Sequence, residues 1–127
     1  MIYSNLGHTN IKVSKICLGT MTYGEQNTEK EAHEQLNFAL ESGVNFVDTA
    51  EMYPVPPKQK TQGLTEKYIG SWLKKYKKRQ EVILATKITG PGSDFSYIRN
   101  PLKIDKKNIE SAIVENFKRL GTDYIDL

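Results

Sequence analysis

The chain has 127 residues, is 38% hydrophobic and 26% charged, and carries a formal net charge of +3. That length suits one modest domain with a real core, and the hydrophobic content excludes intrinsic disorder. One cysteine, Cys17, excludes an internal disulfide and fits a reducing compartment, and no apolar run approaches the ~18 residues needed to cross a bilayer.

Residues 1–14 read as a small hairpin. Tyr3, Leu6, Ile11 and Val13 are its apolar positions, and Asn5, Gly7, His8 and Asn10 mark turns. These opening residues lack the basic-then-apolar pattern of a secretion signal, so a soluble cytoplasmic protein is expected. A short strand, Ile16-Cys17-Leu18, stops at Gly19. Thr28 with Glu31 three residues on is a capping-box signature. Ala32, Leu36, Ala39 and Leu40 follow at helical spacing, and Gly43 suits the helix end.

The pattern then repeats. A strand, Phe46-Val47, ends at Asp48. A helix from about Gly63 carries Leu64, Tyr68, Ile69, Trp72, Leu73 and Tyr76 on one side, which makes Trp72 a core residue. The following KKYKKR reads as a solvated helix end, with cations at the negative end of the helix dipole and no nucleic-acid platform beside them. A third strand over residues 82–86 ends at Lys87. After a Gly/Pro-rich loop, Asp105 caps a helix bearing Ile109, Ala112, Ile113, Phe117 and Leu120, with Gly121 at its end. Residues 124–127 read as the start of a fourth strand.

Short apolar strands alternating with helices imply parallel β-α units, either doubly wound or barrel-forming. The first turn reads GTMTYGEQN, which does not match the G-x-G-x-x-G of a doubly wound dinucleotide fold. In a barrel, chemistry gathers at the C-terminal ends of strands. Gly19-Thr20-Met21, Asp48 and Lys87 all fall there, so they are expected to share one rim.

Asp48 and Lys87 on adjacent strands can pair, and Tyr53 comes within reach of Lys87 if its loop folds back. A phenol can act as a general acid toward a developing alkoxide, and a neighbouring ammonium stabilises the tyrosinate that results. This suits carbonyl reduction. Spacing alone more often describes scaffolding: Asp–Lys pairs between strands and Tyr beside Pro are both common. A Schiff-base role for Lys87 is disfavoured, because an adjacent carboxylate keeps it protonated. His8 and His33 are expected at the surface, Cys17 in packing, and Arg99 and Lys103 in solvent.

At these residues the chain resembles the aldo-keto reductase family. The matches are Leu18-Gly19-Thr20-Met21, Gly43 with Asp48-Thr49-Ala50, Tyr53, Gly63-Leu64-Thr65-Glu66 with Gly70, Lys87, and Asp123-Tyr124-Ile125-Asp126-Leu127. The EMYPVPPK and TQGLTE segments look like its bacterial Tas-like subgroup. The resemblance implies a (β/α)8 barrel, α/β in class, that reduces aldehydes and ketones with NADPH and takes no metal. Residues 1–127 would be the N-terminal portion of that domain, a half-barrel preceded by a β-hairpin. It further implies that Tyr53 is the proton donor, tuned by Asp48 and Lys87. Gly19, Thr20, Met21 and Asp48 would lie at the cofactor. Pro54, Pro56 and Pro57 stiffen a loop that is expected to shape the substrate mouth. The family's catalytic histidine and most of its dinucleotide site would come beyond Leu127. The 127 residues alone are therefore expected to be inactive and, with sheet edges unpaired, to self-associate or pack loosely. The alternatives are a non-catalytic nucleotide-binding subunit like the potassium-channel β-subunits, or a standalone half-barrel interaction module.

Overall fold

A computed structural model describes residues 1–127, the side chain of Ser93 excepted. Its elements are β1 (Tyr3–Asn5), β2 (Lys12–Ser14), β3 (Cys17–Gly19), α1 (Glu29–Glu41), β4 (Phe46–Asp48), α2 (Leu64–Tyr76), β5 (Ile83–Ala85) and α3 (Lys106–Leu120). Single 3-10 turns at Arg79–Glu81 and Ser93–Phe95 lie in the connections. Among the described residues no helix is long and apolar enough to cross a membrane.

Local chemistry sets the helix ends where it was expected to. The Thr28 and Glu31 capping box forms in both directions at the start of α1. The Asp105 carboxylate accepts the Asn108 N–H at the start of α3. Gly121 closes α3 at φ 61°, a left-handed conformation that costs glycine little. At the end of α2 the same conformation falls on Lys77, at φ 58°, where no glycine signals it.

β3, β4 and β5 form a parallel sheet in that order. Its register aligns Cys17 with Phe46 and Ile83, Leu18 with Val47 and Leu84, and Gly19 with Asp48 and Ala85. Side chains alternate across a sheet, so the middle row faces one way and the outer rows the other. Val47 and Leu84 are fully buried in a cluster with Leu36, Ile69, Trp72, Leu73 and Leu120, and Leu18 packs against it. These contacts put the helices on one face. The opposite face, carrying Cys17 and Gly19, stays open. One-sided helices are the mark of a barrel wall, whereas a doubly wound sheet is covered on both faces.

The hairpin β1–β2 pairs Tyr3 with Ser14 and Asn5 with Lys12. It docks on the segment that enters β4: Tyr3 OH donates to Gly43 O at 2.7 Å, and the Ser14 N–H donates to Asn45 Oδ1 at 2.7 Å. The N-terminal ends of the strands are thereby covered and the C-terminal rim is left free.

Several details depart from the sequence reading. Residues 124–127, read as the start of a fourth strand, do pair with β5, short of regular strand geometry. They run beside β5 as extended chain, with the Asp126 and Leu127 N–H groups on Leu84 O and the Thr86 N–H on Leu127 O. Arg79, read as part of a solvated end, instead bonds Val82 O, Tyr124 O and Asp126 Oδ2, while Lys78 does pair with Glu81 at the surface. On α3, Ile113 is exposed and Asn116 takes the buried position.

Gly70 marks the tightest contact between α2 and α3. A Cβ there would lie 2.3 Å from Arg119 O and 2.8 Å from Leu120 C. Alanine in a helix interior ordinarily gains about 1 kcal/mol over glycine. Here it must push two backbones apart, so Gly70→Ala is expected to lose roughly 2 kcal/mol in urea unfolding. A gain would show that the helices separate freely.

Candidate active site

The register carries Asp48 to the rim beside Gly19 and Ala85, and Lys87 follows two residues after β5. The Lys87 ammonium donates to Asp48 Oδ1 at 2.6 Å, to Asp48 Oδ2 at 2.7 Å and to Thr49 O at 2.8 Å. Its three donors are thus directed at the end of β4. The same Nζ lies 5.0 Å from the centre of the Tyr53 ring. Asp48, Tyr53 and Lys87, named from spacing, therefore come together. Their side chains are not sealed: those of Lys87 and Asp48 are 47% and 35% exposed.

The loop that carries Tyr53 is held from several sides. The Tyr53 N–H reaches Ala50 O, and the Gly63 N–H returns to Tyr53 O at 2.8 Å. The Val55 N–H donates to Met21 O at 2.9 Å, which joins this loop to the one after β3. Glu25, from the β3 loop, pairs with Lys58 and accepts the Thr61 hydroxyl at 2.7 Å. Those two hydrogen bonds hold its carboxyl below the usual range. Gly24 sits at φ 104°, where a Cβ would lie 2.8 Å from Leu64 Cβ. Only a bare backbone fits between the two loops at that point.

The β3 loop brings a second phenol, Tyr23. It is 1% exposed, and burial pushes it up to about 12. That burial closes its hydroxyl off from the open rim, where Tyr53 is the phenol beside Lys87. Thr20 is buried and its hydroxyl donates to Asp48 O at 2.8 Å. Thr20 therefore ties β3 to β4 from beneath, while Met21 and Gly19 stand exposed. A Cβ at Gly19 would meet nothing within 4 Å. The strand end at Gly19 is bare and open.

Sequence reasoning missed a buried charge near this rim. Glu51 is 1% exposed, two residues before Tyr53. It accepts from Arg99 Nη1 at 2.7 Å, from Arg99 Nη2 at 2.8 Å and from the Thr89 N–H at 2.5 Å. Arg99 was expected in solvent; instead it is pulled inward because a buried carboxylate requires a partner. Nothing in the spacing pairs positions 48 residues apart. The only available signal was an acid set among apolar loop residues. Lys103 is exposed, as expected.

Two further expectations change. His33 is 12% exposed and lies 3.0 Å from both Tyr68 O and Ser71 Oγ, between α1 and α2 and away from the rim. His8 is exposed in its turn. Cys17 is exposed on the open sheet face rather than packed.

A half-barrel wall with an acid, a phenol and an ammonium grouped at its C-terminal rim defines a β/α-barrel protein with a polar rim site. Residues 15–127 match the model of the aldo/keto reductase family, and the chain belongs to that family. Protein tas of Escherichia coli is 49% identical over all of this chain and 37% of its own length. The uncharacterized oxidoreductase YrpG of Bacillus subtilis is 39% identical over all of this chain and 39% of its own. The chain thus spans well under half the length of these curated relatives. Among solved structures, the holo form of aldo-keto reductase AKR11C1 from Bacillus halodurans superposes with a TM-score of 0.77 at 31% identity. That match covers 98% of this chain and 38% of the other.

The Glu51 carboxyl carries a pH signature. Burial pushes it up, but the hydrogen bonds from Arg99 and Thr89 outweigh burial and hold it below its ordinary value of 4.5. A carboxyl with a lowered folded value stabilises the fold above its unfolded value and loses that contribution as pH falls through the folded one. Stability is therefore expected to fall on acidification below about 4.5. In Glu51→Gln that part of the acid slope should flatten, with a loss of roughly 3 kcal/mol at neutral pH from the stranded Arg99. Urea unfolding at a series of pH values reads both effects.

Proposed function

We propose that these residues form the first half of an aldo-keto reductase barrel that reduces aldehydes and ketones with NADPH in the cytoplasm. The observation that carries this reading is the Lys87 ammonium, bound to Asp48 and Thr49 and placed 5.0 Å from the Tyr53 ring. Half-exposed ion pairs contribute about 0–1 kcal/mol to stability. Scaffolding alone gives such a pair little reason to stand at the rim beside a phenol.

In this reading a carbonyl oxygen lies against the Tyr53 hydroxyl at the C-terminal rim. Gly19 and Met21 flank the nicotinamide edge of the site, and Thr20 holds that edge to Asp48. A reduced nicotinamide, when bound, supplies the hydride. Tyr53 delivers its proton to the carbonyl oxygen as negative charge builds there. The Lys87 charge offsets the charge left on the phenol, and Asp48 holds Lys87 in place. The loop over residues 54–62, tied through Lys58 and Thr61 to Glu25, forms one wall of the substrate mouth.

In the complete barrel, Tyr53→Phe is expected to lower carbonyl reduction about 10²- to 10⁴-fold while leaving NADPH binding nearly intact. Lys87→Met should also slow turnover. NADPH consumption with a generic aromatic aldehyde, beside fluorescence titration of the cofactor, separates chemistry from binding. Near wild-type turnover in Tyr53→Phe would sink the assignment.

Residues 1–127 alone are expected to show no enzyme-like turnover, because positioning and electrostatic effects require the whole site. We further propose that the isolated chain self-associates through the free edge of β3 and the strand-like segment at residues 124–127. Size-exclusion chromatography with light scattering checks this. A clean monomer with a sharp near-ultraviolet signal from Trp72 would favour a self-sufficient half-barrel.

A further inference from the structure

We propose that Glu51, clamped by Arg99, is the positioning residue that sets the Tyr53 phenol against the Lys87 ammonium. The inference rests on the reductase reading above. Glu51 belongs to the tyrosine-bearing loop, yet its hydrogen bonds reach the lysine-bearing one. Its N–H donates to Lys87 O at 3.1 Å, and its carboxylate accepts the Thr89 N–H. It therefore brackets the backbone on both sides of Ile88. Its own carbonyl accepts from Gln62 Nε2, and the Gly63 N–H closes on Tyr53 O. The short path from Glu51 to Tyr53 is thus pinned at both ends.

Arg99 makes the clamp rigid. Two parallel N–H donors meet the two carboxylate oxygens, a geometry that fixes orientation as well as distance. Its Nε reaches Asn108 Oδ1 at 3.3 Å, in the first turn of α3. Neither Glu51 nor Arg99 takes or gives a proton in this role. The Lys87 ammonium is held by Asp48 and Thr49, so its distance to the Tyr53 phenol follows where the backbone of the tyrosine loop sits. A misplacement of about 1 Å can cost on the order of 10²-fold in rate.

The test uses the complete barrel and compares Arg99→Met with Arg79→Met. Arg79 also pairs with a mostly buried acid, Asp126, but just before β5, at the opposite end of the sheet. Both variants should lose stability. Only Arg99→Met is expected to lower kcat, by roughly 10- to 100-fold, with the KM for NADPH little changed. In a Tyr53→Phe background, Arg99→Met should lower kcat no further, since it acts through that phenol. Arg99→Lys keeps the charge without the two-pronged contact and guards against a variant that fails to fold. It should lose several-fold in kcat.

Wild-type kcat in Arg99→Met or in Arg99→Lys would overturn the inference. Equal kcat losses in Arg99→Met and Arg79→Met, or losses that multiply with Tyr53→Phe, would do the same. If Tyr53→Phe is itself active, the reductase reading fails. If Tyr53→Phe is inactive and Arg99→Met is unimpaired, only the inference on Glu51 fails.

Discussion

The parallel register of β3, β4 and β5 is the constraint on which the rest of the molecule depends. It stacks Leu18, Val47 and Leu84 on one face and Gly19, Asp48 and Ala85 on the other. The first row gives three helices a common surface to bury against. The second row brings a glycine, an acid and a small residue to one edge, leaving room for Lys87 to reach across from beyond β5. A slip of one residue in any strand would exchange the two faces. Asp48 would then enter the helix layer, and the apolar row would face the open side.

The charges sort by burial in a way that matches their work. Glu51 and Glu66 are sealed in, each against an arginine from a distant segment. Burial pushes the Glu66 carboxyl above the usual range, against Arg119 and the Thr86 hydroxyl. At Glu51 the hydrogen bonds win and the carboxyl is held below it. Both are buried, but Glu51 also accepts the Thr89 N–H, whereas Glu66 has no backbone donor among the causes that lower it and feels the charge of Glu51. Asp48 and Lys87 remain half exposed, since a site that meets substrate must keep a face open.

Two loops carry the candidate chemistry, and neither relies on regular structure for its shape. Glu25, Gly24 and the Met21 carbonyl hold the tyrosine loop from the side of β3, and Glu51 holds it from the side of β5. The phenol is therefore referenced to both neighbouring strands. This is how a barrel can place reactive groups on irregular segments and still define their distances: the strands provide the frame, and polar bonds between loops transfer it.

By itself the sequence determined the alternation of strands and helices, the caps at Thr28, Asp105 and Gly121, the Trp72 face of α2, and the placing of Asp48 and Lys87 at strand ends. All of these follow from periodicity, local hydrogen bonding or the position of a polar residue at the end of an apolar run. Each is a short-range property of the chain. Tertiary structure alone decided that Arg99 turns inward to Glu51, that His33 bridges two helices, and that the Tyr53 loop folds back over Lys87. It also gave Asn116 a buried place that periodicity assigned to Ile113. These outcomes depend on which distant segment arrives beside a given residue, and a buried charge takes whatever partner the fold delivers.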